Sequence, residues 1–418
     1  MEQKLVVAAD FGNGKIAVAA ALKNELNQIE MIDFKSKTIK NLISDGKIVD
    51  ENALASEVVA MIQQIETDNN LQIDKVHFAV APHTLRSEIR KVNIETSDSS
   101  DILEELIDKA EEIEISATRS VFDVVPLERT TIGNSKAEGN FLVVSVQNAV
   151  QKQFTDIESS ALSAYKPKCF IAPLVEAKRF LSGEQKRNGT LFVDMGFGCT
   201  SFAVYKENLP RLCAVIPLGS KHISSDIAKK FDIQISTAEK LKTDPEYGLA
   251  IENDLKIGGE KPVEAQELKK VIFARLDEIF NFIFDEMKNQ KLENIKEIVL
   301  VGGGAKMNFL PEHLTKTRNV EVKIADIEVT TNKIIENFVC PENALLYALL
   351  KNCDEDCKKS EKIVEPPKKQ KKKKNKNSNL SNDDIKTQIK NREDRTGIKD
   401  MFRNFWNMFD EDKETKTY

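Results

Sequence analysis

Thr190-Leu-Phe-Val-Asp194-Met-Gly196-Phe-Gly198-Cys-Thr-Ser-Phe-Ala-Val-Tyr205 is the stretch that decides the fold of this chain. An apolar run ends at Asp194, two glycines follow at alternate positions, and a second run rich in β-forming residues comes next, which predicts a β-hairpin. Glycines at its tip let backbone N–H groups face an anion. The carboxylate of Asp194 suits Mg²⁺ held through water. The stretch therefore predicts a turn that contacts a phosphate and a metal ion.

The same pattern occurs once more, over residues 4–20, where a strand ends at Asp10 and glycines follow at Gly12 and Gly14. The two copies align without a gap. A single Asp-x-Gly-x-Gly is also an ordinary tight turn. Its recurrence in both halves of the chain favours two similar lobes, each of which offers a hairpin to one phosphate tail.

A third glycine-rich stretch, Gly302-Gly303-Gly304, follows an apolar strand over 298–301. Glycines at such a place let the backbone approach a flat or anionic ligand closely. A dinucleotide-binding turn would need glycine at Met307, and the sequence has no Walker-type Gly-Lys-Ser/Thr. A plain strand-to-helix loop is the remaining alternative.

In chain order these stretches resemble the first phosphate, second phosphate and adenosine motifs of the actin, Hsp70 and sugar kinase superfamily. Within it, four further stretches resemble the bacterial cell-division family FtsA, over roughly residues 4–350: Ile216-Pro-Leu-Gly219, Asp226-Ile-Ala228, Ala238-Glu239-x-x-Lys242 and Tyr247-Gly248. The resemblance implies an α/β, actin-like two-lobed ATPase fold with ribonuclease H-like duplicated domains. It also implies ATP and Mg²⁺ as ligands.

The resemblance assigns roles to particular residues. Asp10 and Asp194 would organise Mg²⁺ through water, Lys15 and the hairpin amides would hold the β- and γ-phosphates, and Glu239 and Lys242 would contact adenine and ribose. The whole predicted set is Asp10, Gly12, Asn13, Gly14, Lys15, Asp194, Gly196, Gly198, Cys199, Thr200, Gly219, Glu239, Lys242, Gly302, Gly303, Gly304 and Lys306. Glu239 has a structural alternative, because Ser236 and Glu239 have the spacing of a helix capping box.

Some positions depart from the superfamily pattern. Asn13 and Gly14 replace a commoner hydroxyl pair, and Cys199 and Ser201 stand where Thr and Asp are frequent. Ala172 stands where some members carry a glutamate or glutamine that positions water. We therefore assign no catalytic residue and expect a nucleotide-binding scaffold with at most weak ATPase activity.

Length and composition set the broad class. A chain of 418 residues with 41% apolar and 31% charged residues is typical of a soluble protein with more than one domain. No apolar run approaches the roughly 20 residues of a membrane span. The first strand begins almost at once, so we expect neither signal nor transit peptide and a cytosolic protein. Six scattered cysteines and four histidines lack metal-ligand spacing, which favours reduced structural thiols.

Alternation of strand and helix patterns, together with the resemblance, predicts the domain organisation. The insert should be a small α+β unit, which the resemblance links to self-association, and the apolar stripe of a helix over 263–288 should be core. The predicted segments are 1–81 for the first part of subdomain 1A, 82–165 for inserted subdomain 1C, 166–189 for the return to 1A, 190–223 for subdomain 2A, 224–292 for subdomain 2B, 293–353 for the rest of 2A and the final connecting helix, 354–396 for a Lys-rich disordered linker, and 397–410 for an amphipathic membrane-binding helix.

The linker is strongly basic. Residues 358–376 hold ten lysines and two glutamates, net +8 in a chain whose net charge is −6. Such a run cannot bury a core. It has no arginine or aromatic side chain for stacking on bases, so we expect attraction to anionic lipid and no nucleic-acid partner.

An amphipathic segment follows the linker. One helical face combines Ile398, Met401, Phe402, Phe405, Trp406 and Phe409. Bulky apolar side chains on one face of a short helix suit a bilayer interface. A terminal helix docked on the core, or a peptide for a partner groove, are the alternatives.

The resemblance and the tail together imply a polymerising, actin-like ATP-binding protein that anchors the FtsZ ring. Its partners would be FtsZ, further copies of itself, other division proteins and the anionic membrane surface. It would be peripheral, on the cytoplasmic face of the bacterial inner membrane at the division site. A PilM-like type IV pilus protein would not require the lysine tether, and an MreB-like filament would lack the insert. A sugar or acetate kinase would need an acidic base over a second substrate, and none is identifiable.

Overall fold

The computed structural model describes residues 3–39, 41–95, 102–127, 131–133, 136–243, 263–307, 309–327 and 338–359. Within these ranges the chain forms sixteen strands and ten α-helices. The strands are β1 (Lys4–Phe11), β2 (Lys15–Lys23), β3 (Ile29–Thr38), β4 (Ile43–Ser44), β5 (Lys47–Ile48), β6 (His77–Val80), β7 (Arg86–Glu95), β8 (Arg119–Pro126), β9 (Thr131–Gly133), β10 (Lys136–Gln147), β11 (Lys168–Ile171), β12 (Thr190–Met195), β13 (Thr200–Lys206), β14 (Leu209–Ile216), β15 (Glu297–Val301) and β16 (Glu321–Ile324). The helices are α1 (Glu51–Asn69), α2 (Ile102–Glu111), α3 (Asn148–Ser159), α4 (Ala172–Phe180), α5 (Gly183–Asn188), α6 (Ser220–Phe231), α7 (Ile235–Thr243), α8 (Ala265–Asn289), α9 (Leu310–Arg318) and α10 (Ala344–Asn352).

Two five-stranded sheets share one topology. The first has the order β11-β6-β1-β2-β3 and the second the order β16-β15-β12-β13-β14. In each sheet the two hairpin strands and the strand that follows them form an antiparallel set of three, and the remaining two strands run parallel to the first hairpin strand. This duplication confirms the two-lobed α/β prediction. Both hairpins predicted from the glycine patterns occupy the same place in their sheets.

The hairpin strands are buried on both faces. Residues 5–9 of β1, 16–21 of β2 and 190–193 of β12 are all buried. Continuous apolar runs are typical of strands covered on both sides. Burial falls where each first strand reaches its aspartate, and the candidate site lies at these ends of the two sheets.

The insert after β6 adds a third sheet, β7-β10-β8, with β9 paired to β10. One face packs with α2 into a separate apolar cluster, which contains Val92, Ile102, Leu106, Ala110, Val124, Ala137, Phe141 and Val143. The insert also contacts the second lobe, because the Ser87 hydroxyl donates to the Cys213 carbonyl at 2.8 Å. The insert thus consists of a helix packed on a sheet, and β7 of that sheet contacts β14 of the second lobe.

Helices α4 and α10 pack against each other and join the two lobes. The Asn352 side chain donates to the Val175 carbonyl at 2.8 Å, and Arg179 donates to the Tyr347 hydroxyl at 2.7 Å. In the second lobe, α8 buries Leu268, Ile272, Leu276, Ile279, Phe280 and Ile283, which confirms that its stripe is core.

Two expectations are corrected. Helix α7 begins at Ile235, so Ser236 lies inside the helix and does not form a capping box with Glu239. Residues 354–357, predicted as the start of the linker, are held on the first lobe. Glu355 pairs with Lys75 at 2.7 Å and with Lys168 at 2.5 Å, and Cys357 is buried. Ion pairs between Glu355 and two lysines of the first lobe therefore hold part of the predicted linker against that lobe.

The remaining tail predictions lie outside the described residues. These are the linker from residue 360 onward and the amphipathic helix at 397–410, and the same holds for Tyr247-Gly248. No helix in the described ranges is long and apolar enough to cross a bilayer.

Candidate functional site

The tips of the two hairpins contact each other. A Cβ atom at Gly198 would lie 2.6 Å from Asn13 Cγ, and one at Gly14 would lie 3.2 Å from the Phe197 ring. Asn13 Nδ2 donates to Cys199 Sγ at 3.4 Å. The glycines at 14 and 198 are therefore needed for the approach of one hairpin to the other. Together the tips form a single surface, as the recurrence of the pattern predicted.

A pair of aspartates lies at the ends of the first hairpin strands. Burial raises the pKa of Asp194 to about 7, and the charge of Asp10 adds to this. Burial also raises the pKa of Asp10 to about 6, although Lys15 opposes the shift. Partly buried carboxylates that repel each other are stabilised by a cation between them. The donor set therefore fits Mg²⁺.

The spacing of the acidic groups bears on how a cation would be held. Across the described ranges, no three His, Cys, Asp or Glu side chains are grouped closely enough to ligate one bare metal ion. Mg²⁺ commonly keeps several water molecules in protein sites. The geometry is thus compatible with contact through water, the mode predicted for Asp10 and Asp194.

Lys15 begins the second strand of the first hairpin. Its ammonium group donates to Asn343 Oδ1 at 2.8 Å and lies 6.0 Å from the centre of the Phe34 ring. Asn343 is buried at the entry to α10. The bond ties the first hairpin to the helix that joins the lobes, and it places a positive charge beside Asp10.

Backbone contacts support the tip of the second hairpin. The Ser220 N–H, at the start of α6, donates to the Gly196 carbonyl at 2.9 Å. The buried Thr200 hydroxyl donates to the Leu218 carbonyl at 2.8 Å. A Cβ atom at Gly219 would lie 2.7 Å from the Gly196 carbonyl oxygen. Thr200 and Gly219, both predicted as ligand contacts, are here used to hold the hairpin in place.

The glycine cluster after β15 packs on the same hairpin. Gly302 has φ +87°, and a Cβ atom there would overlap Asp194 Oδ1 and lie 2.7 Å from the Met195 carbonyl oxygen. A Cβ atom at Gly304 would lie 2.5 Å from Met195 Cγ. Both glycines are required for the backbone to lie beside the aspartate that ends β12.

Gly303 differs from its neighbours. In the described structure, a Cβ atom at Gly303 would have one near neighbour, the flexible Glu342 Cγ at 3.2 Å. Glu342 forms an ion pair with Lys306. Gly303 is thus the glycine of the three that leaves room for a ligand, and Lys306 stands next to it with its charge partly neutralised.

Glu239 and Lys242 lie side by side on α7, next to α6. The Lys242 ammonium group is buried and donates to Glu239 Oε2 at 2.8 Å and to the Ser220 carbonyl at 3.0 Å. Ser224 Oγ donates to the same Glu239 oxygen at 2.5 Å. Burial lowers the pKa of Lys242, and Glu239 opposes that shift. The structure therefore brings the predicted adenine and ribose residues together, beside the start of α6.

Sequence reasoning missed one acidic residue, Glu176. It lies on α4 one helical turn after Ala172 and is fully buried. Burial raises its pKa well above the usual range, and the charges of Asp194 and Asp10 raise it further. Its side chain therefore belongs to the same electrostatic site. The signal in the sequence was a glutamate within the otherwise apolar run Pro-Leu-Val-Glu-Ala at residues 173–177.

The chain is similar in sequence to known cell-division proteins. The family model described as cell division protein FtsA matches residues 191–344. The cell division protein FtsA of Borreliella burgdorferi is 24% identical over 401 residues, which is 88% of this chain and 96% of that protein. FtsA of Escherichia coli is 23% identical over 365 residues, 79% of this chain and 86% of that protein. The chain is thus similar to cell division protein FtsA over most of its length.

A solved structure described as a PilM-PilN type IV pilus biogenesis complex has the same fold. It superposes with a TM-score of 0.60 at 17% identity, and the match covers 82% of this chain and 97% of that one. At that identity the likeness shows the fold alone. The segment matched by the FtsA family model includes the second hairpin, α6, α7 and the glycine cluster.

Proposed function

We propose that this protein is a member of the FtsA family, that it binds ATP with Mg²⁺ where its two hairpins meet, and that it uses the nucleotide to hold the lobes together. The observation that carries the proposal is the contact of two matching Asp-Gly hairpins, one from each sheet, with Asp10 and Asp194 at their bases. Each hairpin places glycines beside a partly buried carboxylate, and such a turn suits a phosphate accompanied by a cation.

The residues of the site would bind different parts of the nucleotide and its cation. Asp10 and Asp194 would accept hydrogen bonds from water on the cation. The Lys15 ammonium has three donors, of which one reaches Asn343, so others remain to bind phosphate oxygens. Glu239 and Lys242 would orient the nucleoside beside α6. Mg²⁺, when bound, supplies neutralisation of the phosphate charge.

A nucleotide that contacts both hairpins favours the conformations in which the lobes are close, because a ligand shifts an equilibrium toward the state it binds better. We expect hydrolysis to be weak, since Ala172 and Ser201 provide no carboxylate where the superfamily often has one. The protein is then a nucleotide-dependent scaffold that forms filaments with further copies of itself. Turnover at rates usual for enzymes, on the order of 10 s⁻¹, would contradict this part.

The tail would connect this scaffold to the membrane. Burial of each large apolar side chain of the 397–410 helix contributes roughly 1.5–3 kcal/mol when complete. Helix formation and loss of freedom offset part of that gain. A single tail should bind modestly, so stable anchoring of the FtsZ ring at the cytoplasmic face of the inner membrane would require many tails on one filament.

Vesicle co-sedimentation tests the tether. We expect the full chain to sediment with anionic vesicles, and the 1–395 truncation and the Phe402→Glu/Trp406→Glu variant to stay in the supernatant. The matched control is Asn404→Glu/Asn407→Glu, which adds the same charge to the polar face and should still sediment. Serine in place of the lysines of 368–376 should weaken binding partly and reduce its salt dependence. Continued sedimentation of the Phe402→Glu/Trp406→Glu variant would refute the membrane role.

A type IV pilus assembly protein is the second candidate, supported by the fold shared with the PilM structure. The two candidates differ in their partner. We expect the purified chain to pellet with FtsZ polymers at a saturable ratio, and absence of that binding would favour the second candidate.

A further inference from the structure

Glu176 is the buried charged group that the proposed nucleotide site leaves unexplained. It lies on α4, which packs against β12, β13 and α10. Its exposure is 0%, and neither carboxylate oxygen has a hydrogen-bond partner in the described part of the chain. An unpartnered buried polar group is costly to a fold. Its retention calls for a ligand that donates hydrogen bonds to it.

The second hairpin presents polar groups to the same space. Asp194 and Ser201 are cross-strand partners in the β12–β13 pair, so both side chains point to one face of the sheet. Phe192 and Ala203, which alternate with them on that face, share an apolar cluster with Leu174 of α4. The face that carries Asp194 and Ser201 is therefore the one that α4 covers.

The Ser201 hydroxyl, like the Glu176 carboxylate, is buried without a hydrogen-bond partner among the described residues. The exposure of Ser201 is 1%. Two independent side chains, one on a helix and one on a strand, thus lie unpartnered beside Asp194. Ordered water or a hydrated ion satisfies such groups when the site is polar.

The charges around Glu176 indicate the charge of the ligand that would bind there. The charge of Glu176 interacts with that of Asp194 and, more weakly, with that of Asp10. Three carboxylates that repel one another favour a cation. They are too dispersed for direct ligation of one ion by all three. Oxygen atoms that bind the water shell of a small divalent ion lie roughly 4–5 Å from it, so a hydrated cation suits this spacing.

We propose that Glu176 is a positioning residue for the divalent cation: its carboxylate, with the Ser201 hydroxyl, binds water molecules of a hydrated cation located near Asp10 and Asp194. The inference rests on the proposed ATP and Mg²⁺ site and adds a residue to it. Glu176 does not touch the phosphate in this arrangement. It fixes the cation through water, as outer-shell partners of metal sites do.

The test measures the Mg²⁺ concentration that half-saturates ATP binding, starting from EDTA and using the full chain. Loss of an outer-shell partner typically weakens metal affinity about 10–100-fold. We expect Glu176→Gln to need at least about tenfold more Mg²⁺ than wild type, and Ser201→Ala to need a smaller excess. The melting temperature of Glu176→Gln in EDTA should equal or exceed that of wild type, because the neutral amide replaces a carboxyl group whose ionisation is disfavoured by burial and by the neighbouring aspartates.

Glu297→Gln is the matched control. Glu297 is also a buried glutamate, but it begins β15, at the opposite end of the strand from Gly302, and it pairs with Gln185 and Lys323. Its Mg²⁺ requirement should equal that of wild type. An unchanged requirement in Glu176→Gln would overturn the inference while the nucleotide site stands. Failure of wild type to bind ATP at any Mg²⁺ concentration would instead overturn the proposed function.

A conservative variant covers the case in which Glu176→Gln fails to fold. Glu176→Asp keeps the charge on a shorter side chain, so we expect a folded protein whose Mg²⁺ requirement lies above that of wild type. A role limited to filling the core predicts a lower melting temperature and an unchanged Mg²⁺ requirement. That outcome would also overturn the inference.

Discussion

The hairpin of β1 and β2 and the hairpin of β12 and β13 share a sequence pattern and a place in their sheets, yet their tips are held differently. Side chains hold the first tip, since Asn13 accepts from the Gly46 N–H at 2.8 Å and Lys15 donates to Asn343. Close backbone packing is the main support of the second, where Gly302 lies against Asp194, and the Thr200 hydroxyl adds one hydrogen bond. One motif has thus been stabilised by polar side chains in one lobe and by steric fit in the other.

The steric support of the second hairpin should be the more fragile. Gly302→Ala combines a positive φ with overlap of the new Cβ atom on Asp194. We expect it to lower the free energy of unfolding by about 3 kcal/mol. Denaturant titration followed by circular dichroism measures this.

Gly303→Ala is the control for that substitution. Its Cβ atom would meet a flexible glutamate side chain at 3.2 Å. We expect a change within about 0.5 kcal/mol. Equal losses in the two variants would refute the claim that close packing locks the second hairpin.

The aspartates should respond unequally to pH in EDTA. The folded pKa of Asp194 is raised to about 7 from 3.8, so the unfolded chain releases its proton first as pH rises between those values. The folded state therefore loses stability across that window and does not regain it above pH 7. Asp194→Asn should stabilise the ligand-free protein at pH 8 by on the order of 2 kcal/mol and leave stability at pH 3.5 nearly unchanged.

Asp10→Asn should give a smaller gain, because its pKa is raised only to about 6 and Lys15 lies nearby. Melting temperatures from pH 3.5 to 8 compare the variants with wild type. The same pH dependence in wild type and Asp194→Asn would show that the pKa of Asp194 is not raised in the folded state.

Loss of single hydrogen bonds should have the smallest effects. Asn13→Ala removes the bonds to the Gly46 N–H and the Cys199 thiol, and Thr200→Val removes the bond to the Leu218 carbonyl. We expect losses of about 1–2 and about 1 kcal/mol, respectively. Hydrogen exchange at the Gly46 amide should be faster in Asn13→Ala and unchanged in Thr200→Val. Faster exchange in both would mean that the tips do not depend on separate supports.

Local sequence pattern was sufficient for some of the elements, including both hairpins. Alternating apolar runs and glycine positions predicted both strand pairs, the core stripe of α8 and the glycine cluster, because each depends on residues close in sequence. The boundary of α7 was wrong because Ser236 also fits a helical position, and its carboxylate partner Glu239 is used by Ser224 and Lys242.

Contacts between residues distant in the chain could not be predicted from the sequence. Nothing near Lys15 identifies Asn343 as its partner, 328 positions away. Glu176 stands in an apolar helical run, and only the packing of α4 on β12 and β13 brings it to the aspartates. Contacts of this kind depend on how elements pack, which periodicity does not encode.

Calorimetric titration of ATP with Mg²⁺ tests the central claim most directly, with one substitution in each hairpin. Wild type should bind one ATP per chain, and Asp10→Ala and Asp194→Ala should each lose at least about tenfold in affinity. Thr200→Val, which alters only the support of a tip, should bind nearly as well as wild type. Affinity unchanged in both aspartate variants would contradict the assignment of the nucleotide site to the meeting point of the two hairpins.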